Sequence, residues 1–232
     1  MKLSIIIPVF NEERYLEKTL RRIQQVVVPG IVGQEIIIVN DGSTDNTRQI
    51  FDKYKGDEKI KVISFSNNQG KARAVSFGLS ISSGDIVIIQ DADLEYDPYF
   101  YPQLVSPIVE NKAMVVFGSR FRGQIKQMNW LNYIANKITN ITLNLLFHSH
   151  ISDANTGFKV FRKEILDGIK FSSKGFSLET EFTVKLLKKR VNIYEVPITY
   201  SARSRREGKK ITWRQAILMY LAIFYYCFFD GR

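Results

Sequence analysis

The sequence predicts an α/β fold, a mostly parallel sheet with helices on both faces, and three observations carry that expectation. Uninterrupted β-branched runs such as Ile86-Val87-Ile88-Ile89 mark strands buried on both faces. Each of the first strands is followed by a polar turn and then by a helical pattern, the order that builds parallel sheets. The 232 residues show neither linker nor repeat, so they read as one unit of ordinary α/β size.

The first strand covers residues 3–9; its short apolar run stops at Pro8 and turns polar, too short for a signal-peptide core with a cleavage site. Asn11-Glu12-Glu13 open a helix with Leu16, Leu20 and Ile23 on one face and acids in the first turn, where the helix dipole favours them. The second strand, 35–40, ends in Asp41-Gly42-Ser43-Thr44-Asp45, where Gly42 permits a tight turn and Thr44 or Asp45 can cap a helix from about Thr47. The third, 61–65, ends in Asn67-Asn68-Gln69-Gly70-Lys71 before a helix over 72–79. The fourth, 85–89, leaves the core and stops at once in Asp91, Asp93 and Glu95, with Asp97-Pro98 closing the turn.

A helix over about 99–110 and a strand over 114–117 follow, the strand ending in Gly118-Ser119-Arg120 and a basic turn, Phe121-Arg122-Gly123. From Trp130 to Phe147 the pattern is helical. Leu131, Ile134, Ile138, Ile141 and Leu145 form an apolar stripe read as core. Asn132, Asn136, Lys137 and Asn140 read as a solvated face, with Asn136 and Lys137 able to meet an anion. His148 and His150 have no third ligand nearby and read as surface loop rather than zinc ligands. Asp153 to Lys159 places an acid, a turn glycine and a lysine ahead of the strand-like Val160-Phe161. Gly175 to Glu181 starts a helix in which Glu179 and Glu181 suit capping and dipole pairing. The chain closes in an uncharged apolar stretch, 216–229, which falls short of the roughly 20 residues a bilayer span needs.

In open α/β sheets ligands bind at the carboxyl ends of the strands, so acids there are placed for chemistry. Asp91 and Asp93, two apart, offer hard oxygen ligands for Mg²⁺ or Mn²⁺; the plain alternative is an acidic surface turn. No G-x-G-x-x-G opens the first helix and no Walker lysine loop occurs, which disfavours dinucleotide enzymes and P-loop phosphotransferases. The 45% hydrophobic content supports a core and excludes wholesale disorder. A single cysteine, Cys227, excludes an internal disulfide and a cysteine zinc cluster. The net charge of +10 is concentrated: residues 185–214 hold ten Lys and Arg against Glu195 and Glu207, a block of +8. Such a block serves as a solvated face, a nucleic-acid patch, or a dock for anionic lipid and phosphate.

These stretches, in order, resemble the family 2 inverting glycosyltransferases with the A-type nucleotide-sugar fold. The resemblance rests on Ile7 to Glu12, Asp41 to Asp45, Asn68-Gln69-Gly70-Lys71, Asp91-Ala92-Asp93, Gly118-Ser119-Arg120, Thr156-Gly157-Phe158-Lys159 and the basic run from Arg203 to Lys210. Within the family the chain is most similar to the polyprenyl-phosphate mannose and glucose synthases, dolichyl or undecaprenyl. It implies a catalytic domain over 1–210 and a C-terminal apolar helix over 211–232, part of the same unit and able to associate with a membrane. It also implies that Pro8, Phe10, Glu12, Asp41, Lys71 and Asp91 bind the donor, and that Asp91, Asp93 and Glu95 hold Mg²⁺ or Mn²⁺ on its diphosphate. Asp93, Arg120 and Arg203 would be catalytic, with Arg120, Arg203 and Lys209 meeting the acceptor phosphate. The mannose synthases usually carry Gln at the position of Glu95 and His-Pro-Pro where this chain has Tyr96-Asp97-Pro98, a departure that bears on donor sugar and metal geometry.

The function this implies is transfer of glucose or mannose from UDP-glucose or GDP-mannose to a polyprenyl phosphate, by a cytoplasmic protein peripheral to the cytosolic membrane face and without nucleic acid. A lipid phosphate is already anionic and needs positioning rather than a general base. A saccharide hydroxyl acceptor, the alternative, needs a base, for which Asp153, Glu179 and Glu181 are the candidates. The third reading is a non-enzymatic basic module for membranes or nucleic acid; no nucleic-acid motif supports it.

Overall fold

The computed structural model of the chain describes residues 1–169, 171–172, 177–203 and 213–229. In chain order the elements are β1 (Lys2–Val9), α1 (Leu16–Gln25), β2 (Gly33–Asn40), α2 (Thr47–Asp52), β3 (Ile60–Ser64), α3 (Lys71–Ile81), β4 (Ile86–Ile89), α4 (Tyr101–Val109), β5 (Val115–Ile125), α5 (Trp130–Phe147), β6 (Lys159–Arg162), α6 (Leu178–Lys188), β7 (Ile193–Tyr200) and α7 (Trp213–Phe228). The strands form one sheet in the order β3-β2-β1-β4-β6-β5-β7. All neighbours pair in parallel except β6, which runs antiparallel to both β4 and β5.

Alternation along the strands divides the core between the two sheet faces. Ile5 and Ile7 of β1 pack with Leu16, Leu20 and Ile23 of α1 and with Leu104 and Ile108 of α4. Ile6 of β1 packs oppositely, with Val75 and Leu79 of α3 and with Phe182 and Leu186 of α6. Gly78 lets α3 sit directly on the sheet, since a Cβ there would lie 2.6 Å from Ile6 Cγ2. Burial of this kind, at ~25 cal/mol per Å² of apolar surface, is what holds the layers together. Because these strands run in one direction, β1, β2, β3, β4, β5 and β7 all end on one edge.

Several expected boundaries shift for identifiable reasons. The first helix starts at Leu16 rather than at Asn11, because residue 11 adopts φ 53° and its Oδ1 accepts from Thr44 N at 2.8 Å, tying two strand-end loops together. The expected turn at Phe121-Arg122-Gly123 is strand instead. β5 continues past a bulge between Ser119 and Gln124 because β7 supplies the pairing partner. The third strand, fourth helix and Val160-Phe161 strand fall within two residues of expectation. The expected start of α6 at Gly175 lies outside the described residues, as does the 210/211 boundary.

The largest correction is the orientation of α5. Leu131, Ile134, Ile138, Ile141 and Leu145, expected in the core, are all exposed. The packed side is the asparagine ridge at i, i+4 spacing, together with Thr139 and Leu143. Asn140 donates to Ser152 O and accepts from Ala154 N, while Asn144 donates to Ile151 O and accepts from Ile151 N. The loop over 149–155 has backbone groups that neither strand nor helix satisfies, and the asparagines supply the missing partners. Asn140→Ala should therefore cost about 1–3 kcal/mol in urea unfolding, whereas Ile138→Ser on the exposed stripe should stay within about 0.5 kcal/mol.

Candidate active site

A cleft of about 530 Å³ opens at the carboxyl edge of the sheet, lined by residues from every strand that ends there. β1 contributes Pro8, Phe10 and Glu12, β2 Asp41, the turn after β4 Asp91, Asp93 and Glu95, and β5 Arg120. Lys71 heads α3, Glu179 lies in the first turn of α6, and Arg203 follows β7; Asn132 and Asn136 of α5 close one side.

The carboxylate turn is built rigidly. Gln90 Nε2 donates to Asp91 O at 2.8 Å and to Tyr96 O at 3.1 Å, clamping both ends, and its Oε1 accepts from Tyr101 OH. Between them Leu94 adopts φ 61°, a conformation that costs a bulky residue roughly 1–3 kcal/mol and persists only where surroundings impose it. Thr19 of α1 donates to Ala92 O, and Glu95 N donates to Asp93 Oδ1. Gly157 packs against this turn, since a Cβ there would lie 2.7 Å from Asp91 Oδ2.

Two cations balance the acids. Lys71 Nζ bridges Asp91 Oδ1 and Glu179 Oε1, both at 2.6 Å. Burial opposes its charge, but the two carboxylates outweigh that and hold its pKa above the usual lysine value. Arg203 Nη2 lies 2.7 Å from Asp93 Oδ2 and its Nη1 3.0 Å from Glu12 Oε2. Burial, then repulsion from Asp91 and Glu95, pushes the Asp93 carboxyl up to about 7. Asp41 holds the turn after β3 onto β2, accepting from Gln69 N at 2.7 Å and Gly70 N at 2.8 Å. Gly42 permits that approach: at φ 70°, a Cβ would lie 2.5 Å from Asn67 C.

Arg120 presents one edge to the cleft and commits the rest to Asp153. Its N, Nε and Nη2 all donate to that carboxylate at 2.7–2.9 Å, and its guanidinium lies over the Tyr200 ring. Asp153 is fully buried beneath Arg120 and does not line the cleft. Glu181 is also fully buried, bound to Lys185 and Ser172 away from the cleft. Of the three candidate bases only Glu179 reaches the cleft, and Lys71 holds it. Lys209 lies outside the described residues.

Sequence reading passed over Tyr96, Tyr200, Asn155 and Glu195. Tyr200 OH donates to Glu95 Oε2, Tyr96 OH accepts from Gly157 N at 2.9 Å, and Asn155 lines the cleft. Glu195 accepts from Ser152 N and Asp153 N, fixing the loop under Arg120. Arg203 is marked by the family resemblance and the basic block, not by a strand, and without the strand β7 nothing local marks Tyr200 or the others.

Asp91, Asp93 and Glu95 are a donor set of hard oxygens that fits Mg²⁺ or Mn²⁺. Among the described residues, however, no three His, Cys, Asp or Glu side chains already converge to hold an ion. Lys71 and Arg203 draw the carboxylates toward themselves instead.

Lys159, from the Thr156-Gly157-Phe158-Lys159 stretch, is buried below the cleft. Its Nζ reaches Ala154 O at 2.9 Å and Thr183 Oγ1 at 3.2 Å and sits over the Phe117 ring. Burial pulls its pKa down from 10.5 to about 7. Between those values the unfolded chain binds a proton that the folded chain does not, so this residue makes stability rise with pH across that window. In urea unfolding, Lys159→Met should flatten the wild-type rise between pH 7 and 10.

A family model, glycosyl transferase family 2, matches residues 4–169. The dolichol-phosphate mannosyltransferase of Pyrococcus furiosus is 32% identical over 215 residues, 90% of this chain and 59% of that protein. An uncharacterised glycosyltransferase of Synechocystis is 32% identical over 171 residues, 73% of this chain and 53% of that one. The chain thus spans little more than half the length of these relatives. Among solved structures, glucosyl-3-phosphoglycerate synthase from Mycobacterium tuberculosis, in complex with Mn²⁺, uridine diphosphate and phosphoglyceric acid, matches with a TM-score of 0.74. That match covers 97% of this chain and 76% of the other at 19% identity, a likeness of fold. With the match running from β1 past the reversed strand β6, and the fold shared over nearly the whole chain, this chain belongs to glycosyl transferase family 2.

Proposed function

We propose that the chain transfers a hexose, glucose or mannose, from a nucleoside diphosphate donor to a polyprenyl phosphate at the cytosolic face of a membrane. The observation that carries the acceptor is the orientation of α5. Its polar side closes the cleft, while its apolar stripe faces outward on the opposite side. An amphiphilic acceptor matches that arrangement, with its phosphate in the cleft and its hydrocarbon outside. α7 extends the apolar surface, since Thr142 of α5 and Tyr220 of α7 share a hydrogen bond and Leu221, Tyr225 and Phe228 are exposed. Among the described residues no helix is long and apolar enough to cross a membrane, so this surface would lie along the interface. The name of the Pyrococcus relative supports the same acceptor class.

The engagement of the acids supports a phosphate acceptor over a hydroxyl. Asp153 is spent on Arg120, Glu181 on Lys185 and Glu179 on Lys71, whereas an anionic phosphate needs no base to attack. Asp91, Asp93 and Glu95 would hold Mg²⁺ or Mn²⁺, which when bound neutralises charge developing on the leaving diphosphate. Pro8, Phe10 and Asp41 shape the wall for the donor nucleoside, and Glu12 holds Arg203 at its rim. Arg203 and Arg120, both lining the cleft, supply charge for the phosphates through fork geometry suited to such oxygens.

Incubation with labelled UDP-glucose or GDP-mannose, Mn²⁺ and polyprenyl phosphate should place label in the organic-extractable fraction, and Asp93→Asn should lower that rate by about 100-fold or more. Label in a water-soluble saccharide instead, lost in Glu179→Gln, would move the acceptor to a hydroxyl. The double variant Ile134→Asp, Ile141→Asp should fold normally yet lose most co-sedimentation with anionic vesicles. Undiminished co-sedimentation would remove α5 from the membrane contact.

A further inference from the structure

Arg203 occupies an unusual position for a residue expected to meet phosphate. Its guanidinium is enclosed by Glu12, Asp93 and Glu95, and its outer face lies 5.3 Å from the Tyr15 ring centroid. The fit is incomplete. Nη1 and Nη2 are hydrogen-bonded, but Nε lies 3.8 Å from Glu95 Oε1 and is buried without a hydrogen-bond partner among the described residues. A buried unpaired donor is destabilising, so the guanidinium is held by charge and not by a complete set of bonds. Glu95 is also taken: its Oε1 accepts from Arg203 N at 2.7 Å and its Oε2 from Tyr200 OH.

The carboxylates facing Arg203 include two of the three assigned to the divalent ion, and the third, Asp91, faces Lys71. Among the described residues no three acids converge as a ready cage. Asp93 Oδ2 and Glu95 Oε1 both face the guanidinium, so an ion bound between those two oxygens would take the place it now fills. We propose that Arg203 is a displaceable counter-ion: it fills the side of Asp93 and Glu95 where a divalent cation held by Asp91, Asp93 and Glu95 would bind, and the arriving cation ejects it toward the phosphates. A divalent ion brings one more positive charge to these carboxylates than the guanidinium does. Electrostatics therefore favour the exchange, and the departing guanidinium regains a partner for Nε when phosphate oxygens are present. One residue thus serves two states, keeping like charges apart before the cation binds and neutralising phosphate afterwards.

The inference rests on the assignment of Asp91, Asp93 and Glu95 to the cation, so its test separates the two. Mn²⁺ binding without donor, followed by loss of the free-ion paramagnetic resonance signal, should be about fivefold tighter or more in Arg203→Gln than in wild type, because the competitor is gone. Asp93→Asn should abolish binding in either background. Equal or weaker binding by Arg203→Gln, with Asp93→Asn still abolishing it, overturns displacement and leaves the cation site standing. Binding unaffected by Asp93→Asn overturns both. A second measurement uses the wild-type protein alone. Mass mapping of phenylglyoxal adducts should show faster modification of Arg203 with saturating Mn²⁺ than with NaCl of equal ionic strength. An unchanged or slower rate overturns the proposal.

Discussion

The constraint on which the rest of this structure depends is charge balance at the carboxyl edge of the sheet. Parallel strands deliver Glu12, Asp91, Asp93 and Glu95 to one cleft, and α6 adds Glu179. Carboxylates crowded together away from bulk water repel one another, and burial together with that repulsion pushes the Asp93 carboxyl up to about 7. Lys71 and Arg203 offset it, each spanning carboxylates from different elements. These bridges join β4 to α3 and α6, and β1 to the end of β7. The cleft is therefore held in shape by the charges that a substrate complex would rearrange.

A second, quieter layer supports the first. Arg120 and Asp153 form a buried pair with three hydrogen bonds, and breaking such a pair from one side typically costs about 3–5 kcal/mol. Glu195 fixes the backbone carrying Asp153, Lys159 fixes Ala154, and the asparagines of α5 satisfy the remainder of that loop. The reversed strand β6 follows directly from this loop. The stretch from Asp153 to Lys159 is thus chiefly architectural: Thr156 bonds Gly118 O, Gly157 makes room beside Asp91, and Phe158 packs in the core.

α5 shows how a polar requirement can override hydrophobic patterning. A helix with a clean apolar stripe normally buries it. Here the neighbouring loop needs hydrogen-bond partners more than apolar cover, because unsatisfied buried backbone groups are expensive. The asparagine ridge turns inward and the stripe is left facing out. The same inversion gives the cleft a polar wall on one side of a helix whose other side suits a lipid interface.

Much of this molecule was legible in the sequence, for a local reason. Strand and helix periods, turn glycines and acids at strand ends act over a few residues, so the parallel α/β sheet, its functional edge and the presence of Asp91, Asp93 and Lys71 there could be read directly, while Arg203 came only with the family resemblance. Whether a carboxylate is free or engaged could not. Asp153 and Glu181 read like Glu179 along the chain, yet only Glu179 reaches the cleft, because their partners Arg120 and Lys185 are set by strand order and helix face. The inward face of α5 and the bond from Tyr200 to Glu95, 105 residues away, likewise arise from contacts between distant segments. Sequence by itself determined which chemical groups arrive at the edge, since that depends on local periodicity. Tertiary structure alone decided which of them pair, since charge and hydrogen-bond satisfaction depend on neighbours that local pattern does not specify.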